Sequence, residues 1–181
     1  SEVLTAQKRA EALKSSPRIG IESPTLVGSI SLVGARLDDL VLKQYGQTVE
    51  VNSERIHLLH PSGAPKSYFA EFGWVGGSDS PNLPGPNTIW SSDGKQLTPG
   101  QPVTLSWDNG AGLKFERTYS LDEGYMVTVT QKVINTGETP TALFPYGLIA
   151  RSGTPDTLGF YILHEGPLGV FDGTLREYDY D

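Results

Sequence analysis

Three histidines, His57, His60 and His164, are the side chains here best suited to moving protons near neutral pH. None stands in an HExxH or HxH arrangement and cysteine is absent, so a metal centre would need carboxylates gathered from distant segments. His164 is followed directly by Glu165. A sugar-ring epimerisation needs such an acid and base, on opposite sides of the ring oxygen and hydroxyl. Adjacent residues of a strand face opposite ways, however, so these two cannot line one pocket unless a bulge intervenes. The same reasoning separates Asp38 from Asp39 in a predicted strand and leaves Asp122-Glu123 as a turn. Glycine is abundant but forms neither a GxGxxG nor a GxxxxGK phosphate loop, and no serine sits in a GxSxG elbow. The expectation is a chain with no catalytic residue, no cofactor and no metal site.

Aromatic residues are the next resource: eight Tyr, six Phe and three Trp. Tyr119, Tyr125 and Phe115 fall on predicted inward strand positions and read as core. Trp74 and Trp90 flank a stretch, residues 76–87, with three Gly and three Pro in twelve positions, too long and polar for a hairpin turn. Beside such a loop the two indoles either pack inward or offer a stacking surface to a ligand.

The elements that must position these groups follow from pattern. The 181 residues are 37% hydrophobic and 19% charged, enough for one core. Val3, Ala6, Ala10 and Leu13 recur at helical offsets until Pro17 ends the pattern. Residues 1–16 are therefore expected to form a linker helix or tether, with a stripe too thin to stabilise the core. From Arg18 the period changes to two. Strands are predicted at Arg18-Ile-Gly-Ile-Glu22, residues 26–33, 37–42, 55–59 and 68–74, then 103–107, 113–121, 125–134 and 142–151. Leu113, Phe115, Arg117, Tyr119 and Leu121 share one face. Turns at Asp108-Asn-Gly110, Asp122-Glu-Gly124 and Asn135-Thr-Gly137 suggest an antiparallel meander, the pattern of a sandwich.

Charge narrows the partners. Fourteen basic and 21 acidic residues give −7, with an isoelectric point near 4.9, a field that repels phosphate backbones and anionic headgroups. Nucleic acid is not an expected partner. No window approaches the ~18 apolar residues of a spanning helix, the start has no apolar leader region, and the lack of cysteine suits oxidising and reducing compartments equally.

Taken in order, Ser16-Pro-Arg-Ile-Gly-Ile-Glu-Ser-Pro24, Gly28-Ser-Ile-Ser-Leu-Val-Gly-Ala-Arg-Leu-Asp-Asp-Leu40, Leu58-Leu-His-Pro-Ser-Gly63, Tyr68-Phe-Ala-Glu-Phe-Gly-Trp-Val75 and residues 112–137 resemble the large periplasmic domain of bacterial YidC-type membrane protein insertases, in its alphaproteobacterial form. The order of the segments carries the likeness, since each is only a strand with its turn. The resemblance implies an all-β antiparallel β-supersandwich, related in fold to galactose mutarotases, over residues 17–181, with further strands and a helical segment beyond. It implies a non-catalytic periplasmic module of an inner-membrane insertase and chaperone, anchored by transmembrane helices outside this chain. The partners implied are Sec translocon accessory subunits or nascent membrane proteins. Tyr161, His164, Phe171 and Tyr178 are the expected contact residues, from the stretch associated with Sec contact in the family. The mutarotase acid and base have no clear counterparts, and a carbohydrate-binding protein of the same fold is the rival reading, with Trp74 and Trp90 as its stacking residues.

Overall fold

The computed structural model describes residues 2–77, 82–155 and 164–180, without the side chains of residues 2–4. They fall into two compact units, Ser1–Arg151 and Ser152–Asp181. The first opens with helix α1 (Glu2–Lys14) and continues through β1 (Arg18–Glu22), β2 (Leu26–Ser31), β3 (Arg36–Gly46), β4 (Arg55–Leu59) and β5 (Tyr68–Gly76). The short β6 (Ser91–Ser92) and β7 (Gln96–Leu97) precede β8 (Val103–Asp108), β9 (Leu113–Leu121), β10 (Val127–Asn135) and β11 (Leu143–Arg151). The second unit holds β12 (Leu168–Phe171) and β13 (Thr174–Glu177). The fold is all-β, as the alternation predicts, with one short helix at the start.

Two sheets make the sandwich. One runs β11-β5-β3-β2-β1-β7, with β4 also pairing β3; the other runs β10-β9-β8-β6. Strand β9 shows why they meet: alternate residues Leu113, Phe115, Arg117, Tyr119 and Leu121 are all buried. They face Ile19, Ile21, Ile30, Leu37 and Leu40 in one contiguous core. At about 25 cal/mol per Å² removed from water, this alternation holds the layers together.

The meander extends through β8, β9 and β10, but one predicted hairpin is absent. Strand β11 does not fold back on β10; it pairs with β5 over its whole length, Leu143 opposite Gly76 through Arg151 opposite Tyr68. The turn after β10 is anchored elsewhere, because Thr136 donates its backbone N–H to Gly112 O at 2.8 Å. On β5, Glu71 then ties three strands together, accepting from Arg36 Nε at 2.6 Å and from the Tyr146 hydroxyl at 3.3 Å.

The β2–β3 connection is tightly packed. Gly34 has φ +72°, and a Cβ there would lie 2.7 Å from Pro86 O, so only glycine fits. Ala35 follows at φ 50° and is fully buried. Its carbonyl accepts from Tyr119 Oη at 2.8 Å and from Arg117 Nη1 at 2.9 Å. A left-handed alanine is strained; these two bonds from β9 hold it in place.

Candidate functional site: a polar ledge on the outer sheet face

The chemistry-bearing side chains gather on the outward face of the β1–β4 sheet, and two bulges put them there. Between β2 and β3 the register passes from Ser29↔Asp39 to Ile30↔Leu37, leaving Asp38 as the extra residue. Leu37 and Leu40 both point into the core, while Asp38 and Asp39 both turn outward, contrary to the expected separation of the two carboxylates. Between β3 and β4 the register passes from Leu40↔Leu59 to Val41↔His57, so Leu58 is extra and His57 shares the outer face. Gly28 makes the first bulge feasible: a Cβ there would lie 2.0 Å from Asp39 O.

Each carboxylate has its own arginine. Arg18 Nη2 donates to Asp38 and Arg9 Nη2, reaching down from α1, donates to Asp39. Ser29 links the two pairs, its hydroxyl accepting from Arg18 Nε at 2.7 Å and donating to Asp39 Oδ2 at 2.6 Å. Beneath α1 both carboxylates are buried, at 4% and 7% exposure. Burial outweighs Arg18 and pushes the Asp38 carboxyl above its usual value, with the Asp39 charge adding to the rise and Arg36 opposing it.

Next to these pairs His57 and His60 stack, ring centroids 5.7 Å apart and planes inclined 30°. Burial lowers both imidazoles below the ordinary range, and the Arg9 guanidinium lowers them further. Asp39 opposes the shift at both rings, and Glu54, 3.8 Å from His57 Nε2, opposes it at His57. Sequence reasoning passed over this ledge by assuming regular alternation. The signals were two charged residues set between leucines in Leu37-Asp-Asp-Leu40, and a doubled leucine between histidines in His57-Leu-Leu-His60. Among the described residues no group of three or more His, Asp or Glu could hold a metal ion.

The tryptophans lie elsewhere. Trp74 and Trp90 are 7% and 2% exposed and stack 6.5 Å apart inside the core. Between and beside them lies Arg117, itself 1% exposed, 4.8 Å from the Trp90 ring and 5.7 Å from Trp74. Among the described residues no carboxylate is bonded to it; Gly34 O, Ala35 O and Phe72 O accept from it instead. A cavity of about 260 Å³ opens at the seam of the sheets, lined by Trp74, Leu113, Val133, Leu143 and Pro145 with Asn135 and Thr141. It contains no titratable side chain to serve as acid or base.

Of the expected contact residues, Tyr161 lies outside the described residues. His164 is not in a strand, so the argument from strand alternation does not apply to His164 and Glu165; His164 Nδ1 lies 3.6 Å from Asp179 Oδ1 instead. Phe171 and Tyr178 are exposed, at 65% and 66%. They belong to a hairpin in which Val170 opposes Leu175 and Leu168 opposes Glu177, closed by Asp172 and Gly173 with positive φ at both, the signature of a type I′ turn.

A sequence profile of the YidC periplasmic domain matches residues 18–181, nearly the whole sandwich and the hairpin. The chain belongs to this family. Proteins named membrane protein insertase YidC from Methylobacterium nodulans and Methylorubrum extorquens are each 51% identical to it, over 97% and 96% of the chain. The one from Acidiphilium cryptum is 47% identical over 95%. The chain spans 28–29% of the length of these relatives. It is thus a YidC-type periplasmic domain, and among its described residues no helix is long and apolar enough to cross a membrane.

Proposed function

We propose that this chain is the non-catalytic periplasmic part of an inner-membrane protein insertase, and that it serves as a docking surface for Sec accessory subunits or for emerging segments of substrate proteins. The observation that carries the docking role is the β12–β13 hairpin. Leu168, Val170, Phe171, Leu175 and Tyr178 are all more than half exposed on it. An isolated two-stranded hairpin is marginal in water, and apolar side chains at this density mark an interaction site. Both long edges of the hairpin can also accept a partner strand.

Photo-crosslinking in the full insertase in native membranes tests the proposal, with the reactive residue placed at Phe171, Tyr178, His164 or Tyr161. Sec components labelled from these positions support it. Silence there, with labelling from the 76–87 loop, moves the site off the hairpin.

A further inference from the structure

Helix α1 is attached in an unusual way. Of the thin apolar stripe read from the sequence, Ala6 and Ala10 are exposed and Leu13 is half-buried. The half-buried positions are Thr5, Arg9, Ala12, Leu13 and Ser16, one helical face shifted around the axis and centred on a charge. Little apolar area is buried by such a face, so the helix depends on the ion pair of Arg9 with Asp39. That attachment is poorly satisfied around its edges. Arg9 Nε, His57 Nδ1 and His60 Nδ1 are all buried without a hydrogen-bond partner, and each such group carries a desolvation cost. An ion pair flanked by three orphaned polar atoms makes a contact that protons can shift.

We propose that α1 is a pH-released strap: Arg9 locks it onto Asp39 above the His57–His60 pair, and protonation of that pair frees the helix from the sheet. The charged and titratable groups facing the two rings are Arg9 from α1, Asp39 from β3 and Glu54 just ahead of β4, besides the rings themselves. With the rings neutral, Arg9 has Asp39 to itself. Each proton bound by a ring adds a positive charge close to Arg9 and a competitor for the Asp39 carboxylate. Docked imidazoles are held below the ordinary range, by burial first and Arg9 second. Release removes the Arg9 contribution and lets them rise. Protons therefore bind the released state better, and docking weakens as pH falls through the lowered range in which the docked rings titrate. Release would free the Asp39 carboxylate and its Ser29 partner from Arg9.

The native chain has no cysteine, so Ala10→Cys on α1 and Val27→Cys on β2, both exposed positions, give one clean spin-label pair. At pH 8 the narrow distance of the docked helix should predominate. At pH 5.5 a longer, broad population should grow several-fold while tryptophan fluorescence of the core stays constant. His57→Gln with His60→Gln should keep the narrow distance at both pH values. A histidine NMR titration of Arg9→Gln supplies a second readout on a folded sandwich, since both rings should titrate at higher pH than in the parent. A distance that stays narrow at pH 5.5 in the parent would overturn the proposal. So would equal broadening in the double histidine variant, or ring titrations unmoved by Arg9→Gln.

Discussion

The two sides of one sheet handle buried cations in opposite ways. On the inner side Arg117 is enclosed by carbonyl oxygens and the rings of Phe72, Trp74 and Trp90, with no carboxylate among the described residues bonded to it. On the outer side Arg9 and Arg18 each face an aspartate. The inner charge is held mainly by carbonyls and aromatic faces, and burial keeps its one phenolic neighbour, Tyr119, protonated well above neutral pH; weak hydration of guanidinium makes such burial tolerable. The outer charges depend on ionisable partners and neighbours, so their environment changes with protons. Permanence and adjustability are thus separated by the thickness of a β-sheet.

Breaking the inner site should have the largest effect. Arg117→Met leaves the Phe72 and Gly34 carbonyls without their donor and the left-handed Ala35 with only Tyr119, and roughly 3–5 kcal/mol of stability should be lost. Urea denaturation measures it; a loss below ~1 kcal/mol would mean that the aromatic cage packs as well around an apolar chain. Second is the sheet-borne outer pair. Arg18→Ala strands the buried Asp38 carboxylate, at a cost of about 2–3 kcal/mol at pH 7. Because the Asp38 carboxyl is raised in the fold, the native state holds its proton better than the unfolded chain. Stability therefore falls as pH rises from ~3.9 through the raised value, and Arg18→Ala should steepen that fall. In Asp38→Asn the slope should vanish, whereas an unchanged slope would assign it to another group. The smallest effect is expected for deleting residues 1–16. The denaturation midpoint of the sandwich should move by less than ~1 kcal/mol at pH 7, and a loss above ~2 kcal/mol would show α1 to be part of the core.

What could be read from sequence follows the same division. The inner face was legible because alternation is enforced by water: Leu113 to Leu121 can bury every second residue in one way only, and Arg117 was correctly placed on that face from its position alone. The outer face was not, because the bulges at Asp38 and Leu58 change side-chain direction without changing composition. The β10–β11 hairpin failed for a related reason. Asn135-Thr-Gly137 has turn chemistry, but a turn residue does not say which strand follows in the ladder, and the free edge of β5 took β11. The direction of Arg9 was hidden as well, since a thin apolar stripe on α1 drew attention to the wrong face.

The strand order has a mechanical consequence. Counting antiparallel steps from β1 through β2, β3 and β5 to β11, the first and last strands of the sheet point the same way. Chain enters at the tail of β1 and leaves the sandwich at the head of β11. Tension applied between those two points therefore runs along the strands, loading the crosswise hydrogen bonds of each ladder together in shear, where a hairpin pulled by its two open ends would yield them one at a time. A domain tethered by these ends resists stretching as a plate does, and its weakest seam is the one between β3 and β5, held by the Leu37–Ala70 bridge and, through the end of β4, by His60 and Tyr68.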